Sequence, residues 1–194
     1  MAPTVLIIGV VVILLWMVGA YNSLIALKYQ VQNALKQIDV QLKRRHDLIP
    51  NLVQAVQGAM NFEKDTLQAV IEARNQAIKV ASGADIQNVG KMAAAEGALT
   101  GALGRLMAVV ELYPQLKATS NIGQLQEELT STENKIGFAR QLYNDTATLY
   151  NTKQQQFPTG LVAGMARAVP AELWEISDEA ERAVPKVDLS MKKA

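Results

Sequence analysis

The chain has no cysteine and a single histidine, His46, in 194 residues. The first absence excludes disulfides, thiol nucleophiles, iron–sulfur ligation and cysteine zinc sites. The second leaves no histidine cluster for a metal and no histidine pair for a proton relay. No metal and no cofactor are therefore expected. Aromatics are scarce at 5%, whereas 27 Ala and 22 Leu favour helix over sheet. A dominant charge sign is also missing. The formal net charge is +1, so the basic field of a nucleic-acid binder is absent and no nucleic-acid partner is expected.

Charge is missing altogether from Met1 to Leu27, and Val5 to Ala20 is an unbroken apolar run. Ala2 to Tyr21 would form about 30 Å of helix, the thickness of the hydrocarbon core. Trp16 and Tyr21 stand on its C-terminal side, where amphipathic rings favour headgroups. A cleaved signal peptide is the rival reading. No Lys or Arg precedes the run, however, and it is longer than a usual signal core, which favours a retained anchor. The nearby cations, Lys28, Lys36, Lys43, Arg44 and Arg45, all follow the run. By the positive-inside rule the N-terminus then faces outward and the C-terminal domain lies in the cytoplasm.

Three long helical patterns follow. Val31, Leu35, Ile38, Leu42, His46, Ile49, Val53, Val56, Met60, Leu67, Ile71 and Ile78 recur at three- and four-residue steps. Ser82 to Asp85 ends that pattern, and only Pro50 interrupts it, which predicts a rod of about 115 Å from Thr4 to Ala81. A second helix is predicted over about Asp85 to Tyr113, with Pro114 breaking it. Its Gly90, Gly97, Gly101 and Gly104 each cost roughly 1 kcal/mol relative to Ala, so they predict close approach by another helix. The third pattern is a heptad: Ile122, Leu125, Leu129, Thr132, Ile136, Ala139, Tyr143, Thr146, Tyr150 and Phe157. Pro158 ends it. Ala171 to Ala183, with five acids against one Arg, is expected to form a short helix before a solvated tail.

The expected fold is all-α. An N-terminal transmembrane helix continues into an antiparallel up-and-down bundle of long helices, with a short C-terminal helix or tail. The divisions are 1–27 for the anchor, 28–160 for the bundle, and 161–194 for the acidic short helix and tail.

Two polar strings interrupt the apolar pattern. Pro50 deletes one helical hydrogen bond and frees the carbonyl of His46, beside Arg44, Arg45, Asp47 and Asn51. A local bend is expected there. These side chains could receive a partner or an ion, or simply satisfy one another and the neighbouring helices. On the third helix, Glu133, Asn134, Arg140 and Asn144 form the second string, and Tyr-Asn recurs at 143–144 and 150–151. Seven-residue spacing puts both Tyr in a seam and both Asn at its margin.

Several segments resemble the LemA family. Tyr21-Asn22, Ile38 to Leu42 and Arg44 to Val53 carry the likeness in the N-terminal half. Tyr113 to Ala118, Glu128-Leu129, Thr132 to Asn134, Ala139-Arg140, Tyr143-Asn144, Phe157-Pro158, Glu179-Ala180 and Pro185 to Asp188 extend it over nearly the whole chain. Leu35 and Leu189 depart from it, standing where aromatics are common. The resemblance implies a bacterial inner-membrane protein, anchored by one N-terminal pass with its N-terminus outside, and it supplies no catalytic residue.

The first functional expectation is a scaffold or adaptor acting through helix–helix contacts, with the lipid bilayer, a second copy of the chain and other membrane proteins as partners. An oligomeric membrane-remodelling or envelope-stress protein is the alternative. An enzyme would have only His46 as a general base near neutrality, with Asp47 turned elsewhere on the helix, and no serine stands in a nucleophile elbow. The chain is not expected to be an enzyme.

Overall fold

In the computed structural model, residues 2–57, 64–113 and 120–175 are described. They form α1 (Ala2–Gln57), α2 (Lys64–Ala81), α3 (Val89–Glu111), α4 (Ser120–Gln155) and the short α5 (Gly160–Ala163). Among the described residues there is no strand.

α1 is one helix with two environments. Over 56 residues it spans about 84 Å. From Val5 to Leu15 its large apolar side chains are exposed. Burial begins at Ala20, and Leu24 is the first large side chain of α1 to be fully buried. From there the same helix becomes the central element of the bundle.

α1 and α4 run antiparallel along their whole shared length. Val31, Leu35, Ile38 and Leu42 pack with Ile136, Ala139, Tyr143, Ala147 and Tyr150 in one core cluster. Further along α1, Ile49, Leu52 and Val56 join Ile122 near the start of α4 in a second cluster. The heptad of α4 is what makes this seam continuous.

The expected rod to Ala81 does not form. α1 ends at Gln57, and α2 returns alongside it, so that Arg74 reaches the His46 carbonyl. The physical reason is the second cluster. Val56 on α1, Leu67 and Val70 on α2, and Leu99 and Leu106 on α3 close over a common interior. A straight rod would leave both halves of the apolar stripe bare. Within α1 the helix continues unbroken through Pro50.

Three further expectations give way. A Cβ at Gly90 would meet the Glu172 carboxylate at 3.4 Å, but among the described residues one at Gly97 or Gly104 would meet nothing within 4 Å, and one at Gly101 only the tip of Arg105 at 4.0 Å. The last three glycines stand on the exposed side of α3, because Met92, Glu96, Leu99, Leu103 and Leu106 take the inward side. Phe157 leaves the heptad seam and is 86% exposed, since α4 ends at Gln155 and the chain turns before reaching it. Residues 171–175 are not helical, being held against α4 by Asn144 and Asn151. Residues 176–183 of that expected helix, and Pro114, lie outside the described residues.

Candidate functional site

A chain of alternating basic and acidic side chains crosses the middle of the bundle. His46 Nε2–H donates to Glu96 Oε1 at 2.8 Å. The other Glu96 oxygen lies 3.5 Å from Arg45 Nη1. That nitrogen is also 3.2 Å from Glu133 Oε2, and Glu133 Oε1 is 3.9 Å from Arg140 Nη2. Arg45 Nη2 donates to Thr100 Oγ1 at 2.8 Å. At the far end, the Arg140 guanidinium sits over the Trp174 ring, 4.8 Å from its centroid, at cation–π range. α1, α3, α4 and residues 171–175, the strap laid along α4, all contribute.

Glu96 is fully buried, and Arg45 and His46 are nearly so. A carboxylate in that position is tolerable only because both oxygens face donors. Adjacent Arg45 and His46 leave α1 at different angles, so the two donors fork around one carboxylate. Arrangements of this kind fix which helix faces meet, because sliding any of them strands a charge.

The C-terminal strap is bound by side-chain amides. Asn151 Nδ2 donates to the Ala171 carbonyl and its Oδ1 accepts from the Ala171 amide, both at 2.8 Å. Asn144 does the same to Trp174, at 3.0 and 2.8 Å. Seven helical residues advance about 10.5 Å, and three extended residues about 10 Å. The heptad of Asn on α4 therefore matches an extended strap running antiparallel to it. Tyr143 Oη donates to the Glu172 carbonyl at 2.6 Å, and burial, with Glu172 and Asp85 nearby, raises its phenol above the ordinary value. The Glu172 carboxylate accepts from the Gly90 amide at 2.9 Å. It supplies the first turn of α3 with the acceptor that Asn88, at the N-cap position, does not provide.

Of the residues singled out in the sequence, the fold brings Arg45, Glu133 and Arg140 together with His46. Arg44 instead forms a surface pair with Glu128 at 3.7 Å. Asp47 lines an open groove with Asp39, Lys43 and Ile78, whereas Asn51 lines a different one with Gln124 and Glu128. Asn134 is exposed. Asn144 holds the strap, and Pro50 stays inside α1. Sequence reasoning passed over Glu96, Arg74, Glu172 and Trp174. Glu96 left a signal: it is an acid on the Met92–Leu99–Leu103 face of an apolar helix. Among the described residues no group of three or more His, Asp or Glu is placed to hold a metal.

Comparison with known proteins bears on this architecture. A family model described as LemA family matches residues 34–189. Magnetosome protein MamQ 1 of Paramagnetospirillum magneticum is 24% identical over 189 residues, covering 87% of this chain and 70% of the relative. Protein LemA of Metamycoplasma hominis is 29% identical over 146 residues, covering 75% of this chain and 64% of the relative. The magnetosome protein MamQ of Magnetospirillum gryphiswaldense is 24% identical over 163 residues, 74% and 60% of the two chains.

Proposed function

The chain belongs to the LemA family, and from that premise we propose that it is a single-pass membrane scaffold, not an enzyme, that holds a rigid helical bundle at a fixed distance and orientation from the bilayer. One observation carries the reading. A single helix, α1, is bare and apolar over the length of a bilayer and then packs one face into both core clusters of the bundle. A flexible linker would tether the domain; a continuous helix orients it. Exposed apolar side chains on the outer side of α4, Phe138, Leu142 and Leu149, offer contact surface for partner helices. α3, although apolar, turns its large side chains into the bundle and is read as a core helix.

His46 is read as a structural residue, its Nε2 held by the buried Glu96 carboxylate within the charge chain. The relatives that match carry no enzyme name. Orientation follows the cations: residues after about Asn22 are assigned to the cytoplasm, with the short N-terminal segment outside. Self-association is part of the reading. Membrane confinement raises effective concentration, and the open face at Gly97, Gly101 and Gly104 admits a close neighbour.

Crosslinking in native membranes, followed by pull-down, tests the scaffold. The expected result is a set of specific crosslinks from the outer side of α4 to other membrane-resident chains, lost when residues 1–21 are deleted. Crosslinks unaffected by the deletion, with the chain in the soluble fraction, would refute it.

A further inference from the structure

The base of the bundle carries a second apolar surface. α5 and the turns around it have two apolar sides. Thr159, Val162 and Ala166 face inward and are buried. Phe157, Leu161 and Met165, spaced four residues apart, are 86%, 72% and 66% exposed. The Ala166 amide donates to the Val162 carbonyl, which keeps the α5 turn going and Leu161 and Met165 on one side. Three large apolar side chains standing bare on one short segment call for a cover.

Position says what the cover is. Arg45 on α1 pairs with Glu133 on α4, and the two helices are antiparallel. Each step back along α1 is thus a step forward along α4, which brings Gln155 level with the Ala20–Leu24 stretch. α5 packs on both α1 and α4. Phe157, Leu161 and Met165 accordingly stand beside the point where α1 passes from buried to bare, at the level of Trp16 and Tyr21. Charge agrees. No Asp or Glu occurs from residue 1 to 38 or from 146 to 171, whereas Lys28, Lys36, Lys153 and Arg167 do. The part of the bundle nearest the span therefore carries cations and no acid.

We propose that the segment Phe157–Met165 sits in the interfacial zone of an anionic bilayer, with Phe157, Leu161 and Met165 among the upper acyl chains and Lys153 and Arg167 against headgroup phosphates. Amphipathic segments bury such a face roughly 5–10 Å into the interface, and each nearby cation adds about 1 kcal/mol on an anionic surface. A second contact beside the span stops the bundle from tilting and rotating about α1. The proposal rests on the reading of α1 as a membrane span.

The test uses the full chain, which has no native cysteine, in nanodiscs of equimolar POPC and POPG. Single cysteines at Phe157, Leu161, Met165, Phe138 and Val12 are labelled with NBD, and quenching is read from lipids bearing a doxyl group near the headgroup end of the acyl chain, or, for Val12 at the middle of the span, near its methyl end. Blue-shifted, quenched emission is expected at 157, 161 and 165, with water-like emission at 138. Quenching at Val12 with water-like emission at 157, 161 and 165 would overturn the proposal and leave the span intact. No quenching at Val12 would overturn the span, and the proposal with it. Blue-shifted but unquenched emission at 157 would mean that protein, such as a second copy, covers the segment, again overturning it. Quenching at Phe157 should weaken when POPC replaces POPG. Equal quenching in POPC alone would overturn the role given to Lys153 and Arg167.

Discussion

Arg74 Nε donates to the His46 carbonyl at 2.7 Å. That carbonyl is the one Pro50 leaves without a helical partner, since proline has no amide hydrogen to return to residue i−4. A defect in α1 thus becomes the attachment point for α2, a charged donor replacing a backbone one. Arg74→Met should destabilise the full chain in detergent by about 1–3 kcal/mol, the range for a buried group left unsatisfied. In a Pro50→Ala background the same change should cost much less, because alanine at that position supplies the missing amide. Urea unfolding of the four combinations measures the coupling, and equal costs in both backgrounds would contradict it.

Glu96 is the member of the charge chain whose loss should be felt most. Glu96→Ala leaves Arg45 and His46 buried without their common acceptor, at an expected cost of about 3–5 kcal/mol. Replacing all three by apolar residues, Arg45→Met with His46→Leu and Glu96→Leu, should recover most of that loss. Thermal unfolding followed by circular dichroism distinguishes them; a triple variant as unstable as Glu96→Ala would argue against the account of the buried charges.

Asn144 and Asn151 each hold one strap residue by two hydrogen bonds. At about 1 kcal/mol per bond, Asn144→Ala with Asn151→Ala should free the strap without unfolding the bundle. Amide exchange at Ala171 and Trp174 should accelerate to near unprotected rates while α1 amides stay protected. Loss of protection throughout would mean that the strap is integral to the core.

Tyr143 gives a pH dependence. Its phenol is raised in the folded state, chiefly by burial, so folding favours the protonated form. The associated stability is complete below the unfolded value near 10 and is lost as pH rises through the higher folded value. Stability of the wild type should therefore fall above about pH 10 more steeply than that of Tyr143→Phe. Parallel profiles would remove Tyr143 as the cause.

Self-association is tested by Gly101→Leu. Among the described residues only the tip of the Arg105 side chain, at 4.0 Å, comes near a Cβ there, so folding should be unaffected while a neighbour packed there is displaced. Light scattering on detergent-solubilised protein should give an oligomer for the wild type and a smaller species for the variant. A wild type that stays monomeric across micromolar concentrations would end the self-association reading.

Much of this architecture is legible in the sequence because apolar periodicity records which side of each helix is buried. The α4 heptad through Ile122, Ile136, Tyr143 and Tyr150 and the inward side of α1 follow from it directly. Periodicity does not say where a long helix folds back, which is why Ile78 reads as a continuation of Val56. Nor does it register polar groups buried in pairs. Glu96 reads as an exposed acid until Arg45 and His46 are placed opposite it. The repeated Tyr-Asn dipeptides are visible, but their purpose depends on a strap whose extended backbone has no periodic signature. Gly97, Gly101 and Gly104 are ambiguous for the opposite reason: small residues permit close packing and do not require it, and within the described residues no helix takes the place beside them.

In the scaffold proposed, α1 carries the bundle rigidly out of the bilayer. Spin labels at Gly19→Cys and Lys43→Cys, both exposed positions on α1, are separated by about 36 Å along a continuous helix. Double electron–electron resonance on the full chain in nanodiscs should give one narrow distance distribution centred near that value. A broad distribution, or one at markedly shorter distance, would show a hinge between span and bundle and contradict the account.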